Sequence, residues 1–180
     1  MRRPIFMLGK GFAMSPYTKA IFTLSMAATL SLLVGGAASA AVSVSYIKPE
    51  EFRDVPFDNA DRERILNDLS AHFVALGKKL PADQDLKIEV TDVDLAGREV
   101  PSRRTGNELR IVNGGADWPA MSLRYTLTSH GEVIATGDER LQDMDYQSHV
   151  NLYSPGENLR YEKQMIDTWF KKTFPQSVKS

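Results

Sequence analysis

Val42, Val44 and Tyr46 alternate with Ser43 and Ser45. Period two marks a strand with one apolar face, because successive side chains point to opposite sides of the backbone. Beyond a connector bracketed by Pro49 and Pro56 the period changes. Ile65, Leu66, Leu69, Phe73 and Leu76 fall on one helical stripe, with Asp58 or Asp61 as N-cap and Gly77 followed by Pro81 as the stop. Leu86, Ile88 and Val90 return to period two. Val93 and Leu95 continue it one residue out of phase, which predicts a bulge at Thr91 and Asp92.

The polar, basic stretch from Arg98 to Asn107 reads as a loop, and Leu109, Ile111 and Val112 as a short strand before an Asn113-Gly114-Gly115 turn. Met121, Leu123, Tyr125 and Leu127 then alternate with polar residues, and His130-Gly131 forms a two-residue turn into a strand from Val133 to Leu141. Pairing Ser129 with Glu132 sets Leu127 opposite Ile134, Tyr125 opposite Thr136 and Leu123 opposite Asp138. The inner face of this hairpin is therefore expected to turn polar away from its turn. A loop from Gln142 to Asn158 leads to a last helix with Leu159, Ile166, Trp169 and Phe170 on one stripe, ended by Pro175.

The order β-α-β-β-β-β-α predicts an α+β fold: a two-layer sandwich whose mainly antiparallel sheet of four to five strands carries two helices on one face. Its first strand, helix and second strand fit a right-handed parallel crossover.

Charge separates the chain into two parts. Four of the 22 basic residues (Arg2, Arg3, Lys10, Lys19) and none of the 23 acidic ones precede residue 41. Residues 41–180 thus carry 18 basic against 23 acidic groups, a formal charge of −5. Lys19, an apolar run from Ala20 to Val34 and the small residues ending Ala38-Ser39-Ala40 make residues 1–40 a secretory signal peptide, cleaved after Ala40. The apolar run, about 15 residues, is short of the roughly 20 that span a bilayer. Arg2 and Arg3 lack the setting of a twin-arginine signal, so general secretion is expected. Residues 41–180 are then a single periplasmic domain with no membrane span. Their acidic balance argues against nucleic acid as a partner. Without Cys there is no disulfide, no thiolate metal site and no lipidated Cys at the cleavage point.

Residues 41–180 contain no G-x-S-x-G, H-E-x-x-H, P-loop, EF-hand or G-x-G-x-x-G signature, and no cofactor is expected. His72 lies in the first helix's apolar stripe, where a core or rim histidine bonded to a backbone carbonyl is expected. The loop after the hairpin holds Asp143, Asp145, Tyr146, His149 and Tyr153. Carboxylates and imidazole there suit a divalent metal or proton transfer, so a hydrolase or metal-binding protein using Asp143, Asp145 and His149 is the alternative function. Glu162 and Lys163 flank the last helix's stripe, and their heads are expected to reach water or Arg140. Arg98, Arg103 and Arg104 are expected in a solvated loop, with a grip on an anionic envelope polymer as the functional alternative. Trp118, just before a strand, is a contact anchor or a core plug.

Three blocks carry a family resemblance: Ala116 to Tyr125; Gly137 to Leu141 with Asp143 to Tyr146; and Leu159 to Lys163 ending in Trp169-Phe170. With them, most of the region after residue 40 resembles the bacterial family catalogued as domain of unknown function 3016. The resemblance implies an exported, single-domain protein of no assigned activity, and it brings no catalytic residue. It singles out the blocks around Asp143 and Arg160. With Asp138 and Arg140 facing the helix layer, Arg140, Asp143, Tyr146, Arg160 and Glu162 are expected to form one polar cluster, a buried lock or a binding cleft. Trp118, Arg140, Asp143, Asp145, Tyr146, Arg160 and Glu162 are the candidate binding residues. The expected function is a non-enzymatic binding or accessory module for an envelope protein or polymer, acting through a sheet edge or the Trp118 region.

Overall fold

The computed structural model describes residues 40–101 and 108–175. The expected signal peptide up to Ser39, and Arg103 and Arg104, lie outside them. Strand β1 (Val42–Tyr46), a 3₁₀ turn (Pro49–Glu51), helix α1 (Asn59–Gly77) and strand β2 (Gln84–Asp94) come first. Strands β3 (Arg98–Pro101), β4 (Glu108–Ile111), β5 (Ala120–Ser129) and β6 (Glu132–Gln142) and helix α2 (Arg160–Thr173) complete the order. Four strands form one sheet, β1-β2-β5-β6, in which β1 runs parallel to β2 and the other neighbours are antiparallel. The α+β architecture is as expected, with one difference. The start of the supposed loop at Arg98 is a strand, paired with β4 in a separate two-stranded sheet. Val100 is its one apolar residue besides Pro101, so periodicity had nothing to register.

Each element follows from local chemistry. The Asp58 side chain caps α1 by accepting from the N–H groups of Ala60 and Asp61, at 2.9 and 3.1 Å. Leu66, Leu69, Phe73 and Leu76 are buried beneath it. Tyr46 ties β1 to that helix: its hydroxyl donates to the Leu66 carbonyl at 2.8 Å, and burial pushes its pKa up to about 12. The bulge in β2 falls where the phase shift placed it, between Val90 and Asp92, and it returns Val93 to the buried face. These side chains join Met121, Leu123 and Leu127 of β5 and Met165, Ile166, Trp169 and Phe170 of α2 in one core.

The hairpin departs from the expected register. His130 and Gly131 both take positive φ, as a two-residue turn of this hand requires. A second bulge follows at once. Thr128 pairs with Val133 but Leu127 with Ala135, leaving Ile134 without a partner. Because side chains alternate, one extra residue reverses the faces of everything beyond it. Tyr125 is therefore opposite Gly137, and Leu123 opposite Glu139. Asp138 and Arg140 are thereby turned to the outer face, where Arg124 Nε lies 3.2 Å from Asp138.

Gly137 and Gly77 are set by close approach. A Cβ at Gly137 would enter the ring of Tyr125, and one at Gly77 would collide with the Val42 side chain. Gly77→Ala should therefore cost about 1–3 kcal/mol of stability, the usual effect of overpacking. Urea unfolding of the variant checks this, and an unchanged midpoint would count against the tight α1–β1 contact.

Candidate functional site

The sequence-predicted site residues fall into three surroundings, not one cluster. Glu162 stands in the first turn of α2, where the helix dipole favours an anion. It is only 4% exposed, and its Oε1 accepts the backbone N–H of Ala96 at 2.7 Å. Burial pushes its carboxyl pKa up, opposed by the Ala96 N–H, its own N–H and the field of Arg110. The arginine near it is thus Arg110, not the expected Arg140. Arg110 donates to Asp54 at 2.7 and 3.3 Å, to Glu99 at 3.1 Å, and to the carbonyls of Ala96 and Gly97 at 3.4 Å each. Its donors are spent on holding β4, the segment after β1 and the end of β2 together. A cleft of about 590 Å³ opens beside it, lined by Asp58, Asp61, Arg64, Asp68 and Glu99 among others. Its charges are largely answered from within: Arg64 pairs with Asp61 at 2.8 Å, Glu99 with Arg110, and Asp58 caps α1.

Tyr146 and Arg160 form the second surrounding. Tyr146 is fully buried; its hydroxyl donates to Asp117 at 3.1 Å and accepts from the Gly114 N–H at 3.2 Å. Burial, with the Asp117 carboxylate, pushes its pKa up to about 12. Its ring meets Tyr161 edge-on at 4.8 Å, and the Arg160 guanidinium lies 5.0 Å from the Tyr161 ring centre. Arg160 keeps its Nε buried without a partner among the described residues. Trp118 is half-buried and lies outside the main core, so it is not a plug of that core. Asp145 is exposed, and its carbonyl closes a turn with the Ser148 N–H.

Arg140, Asp143 and His149 make the third. With Glu139, Leu141 and Gln142 of β6 and Met165, Thr168, Trp169 and Lys172 of α2 they line a cleft of about 270 Å³. Leu141, Met165 and Trp169 are apolar and mostly buried, whereas Arg140 and Lys172 are exposed at its rim. Asp143 lies 3.1 Å from His149 Nε2. Asp145, the third member of the expected hydrolytic or metal-binding set, does not line the cleft. Among the described residues, no three His, Asp or Glu side chains converge as a metal site would need. Thr168, the one hydroxyl on the cleft, donates to the Gln164 carbonyl at 2.9 Å.

Sequence reading missed a further cluster. His72 bonds a carboxylate rather than a backbone carbonyl: its Nε2 is 2.9 Å from Asp167, whose other oxygen accepts the Tyr153 hydroxyl at 2.9 Å. Burial would raise the Asp167 pKa, but the bonds from His72 and Tyr153 outweigh it and leave the pKa low. Burial and that carboxylate push Tyr153 up. His72 and Asp167 are 95 residues apart, beyond the reach of any spacing pattern.

Residues 40–172 match the family model described as Protein of unknown function (DUF3016). No curated protein and no solved structure matches the chain.

The two buried carboxylates of α2 should titrate with opposite effect. Folding raises the Glu162 pKa, so its charge weakens the fold as pH rises from its ordinary value through the folded one. Folding lowers that of Asp167, so its stabilisation is present above the ordinary value and is lost as pH falls through the folded one. Relative to the parent, Glu162→Gln should gain stability with rising pH and Asp167→Asn should lose it. Glu162→Ala, which leaves the Ala96 N–H without its acceptor, should cost about 1–3 kcal/mol. Urea midpoints between about pH 3 and pH 8 measure all three.

Proposed function

The chain belongs to the family of proteins of unknown function DUF3016, matched by its residues 40–172, and on that premise we propose that it is an exported, non-enzymatic binding module of the bacterial cell envelope. One observation carries this reading. The cleft between β6 and α2 joins an apolar floor to polar groups that the fold does not use. The side chains of Arg140 and Lys172 have no hydrogen-bond or ion-pair partner among the described residues. Arg110 and His72, by contrast, are bound up in contacts that hold elements together. At about 270 Å³ the recess falls below the roughly 300–1,000 Å³ of sites for whole small molecules. It suits one side chain of a larger partner better than a cofactor.

Export rests on the basic, apolar and small-residue sequence of residues 1–40. No helix among the described residues is long and apolar enough to cross a membrane. Intact-mass measurement on the periplasmic fraction should give a chain starting at Ala41. An uncleaved chain confined to the cytoplasm would remove the envelope from the proposal.

The binding surface is tested by placing a photo-crosslinking amino acid at Thr168 or Gln142 in living cells, with Thr126 on the outer sheet face and Arg64 at the larger cleft as controls. Discrete adducts are expected from the first pair alone. Equal labelling at all four positions, or labelling only at the controls, would overturn the assignment of the surface.

A further inference from the structure

Side chains alternate along a strand, so a recess confined to one face touches every second residue. The β6–α2 cleft touches Glu139, Arg140, Leu141 and Gln142 in succession. It therefore opens along the edge of β6. That strand is the last of its sheet, and among the described residues none pairs with its outer side. An unpaired edge repeats N–H and C=O groups at strand spacing, a template for one more strand.

We propose that the ligand is the C-terminal segment of another protein, added as a strand along β6, with its last side chain over Leu141, Met165 and Trp169 and its terminal carboxylate held by Arg140 and Lys172. This deepens the binding-module reading and rests on it. The occupant follows from charge and size. The Arg140 and Lys172 side chains are cations without an ion-pair partner among the described residues, beside an apolar floor. Two carboxylates share the recess, Asp143 held by His149 and Glu139 exposed, and neither is paired with Arg140 or Lys172. A terminal residue carries an apolar side chain and a carboxylate on the same Cα. An internal acidic residue on the same face would set its carboxylate about 7 Å along the strand from the apolar side chain, a poor fit to so small a recess. Trp169 adds a buried indole N–H that has no acceptor among the described residues. An incoming oxygen would relieve that cost.

The test uses the full chain and three synthetic peptides: acetyl-Thr-Val-Thr-Val-Thr-Leu with a free carboxylate, its C-terminal amide, and a version with proline in place of the second valine. By titration calorimetry the free acid should bind about tenfold or more tighter than either variant, since charge-assisted bonds and a strand N–H are lost. Arg140→Ala and Lys172→Ala should each weaken the acid and leave the amide unchanged. Both residues are exposed, so unchanged melting confirms intact folding. Hydrogen exchange should show new protection in β6. Equal binding of acid and amide, or indifference to both substitutions, overturns carboxylate capture. Equal binding of the proline peptide, or protection outside β6, overturns strand addition. Self-association that protects β6 without peptide makes a second copy the occupant and also overturns the proposal. If no peptide binds while the Thr168 crosslinker still labels a partner, this proposal fails and the binding-module reading stands; if both fail, both fall.

Discussion

A carboxylate can leave water only where donors wait for it, since burying an unmet charge costs several kcal/mol. Glu162 meets that condition with the Ala96 N–H that follows β2 and with its own N–H, with the Arg110 charge nearby. The docking of α2 depends on this contact. It sets the start of the helix over the end of β2, and the rest of the helix then runs beside β6. Met165 and Trp169 come to face Leu141 as a consequence, and the cleft exists because of where α2 starts. Of the cluster expected to be a lock or a cleft, Glu162 is buried against the Ala96 N–H, while Arg140 and Asp143 are among the residues lining the cleft.

A second polar contact holds the other side of the same helix. His72 of α1 and Tyr153 of the long loop both bond Asp167, so two segments converge on one carboxylate of α2. The loop is fixed further by the Asn151 side chain on the Arg160 carbonyl and by the Leu152 N–H on Gln164. Two acids on one helix thus position it against the sheet and against α1. The core between them is apolar and without direction. The carboxylates supply the orientation.

What was legible in the sequence was local. The β2 bulge showed as a phase shift, Asp58 as a cap, and His130-Gly131 as a tight turn. The bulge at Ile134 was not legible, because Val133 and Ile134 are both apolar and either could have been the paired residue. That one slip reversed the faces of Asp138 and Arg140 and carried the expected cluster with it. Glu162 was misread for a related reason. Its position at the margin of an apolar stripe says nothing about a backbone N–H 66 residues away. Arg110 was passed over because polar residues between Leu109 and Ile111 are what a half-exposed strand contains. Of the candidates, Arg140 and Asp143 share the cleft with His149, while Tyr146 and Arg160 surround Tyr161.

The bulge at Ile134 also divides the rim of the sheet into unlike halves. Near the turn, exposed Val133 and Ile134 are the apolar, strand-forming pair that invites chains to stack on one another. The extra residue breaks the even spacing of hydrogen-bonding groups there, and no neighbour can run on through it in register. From Ala135 to Gln142 the spacing is regular again. Along β6 the stickier end is thereby closed to indefinite growth, and the regular spacing that could accept a strand is confined to the stretch beside α2.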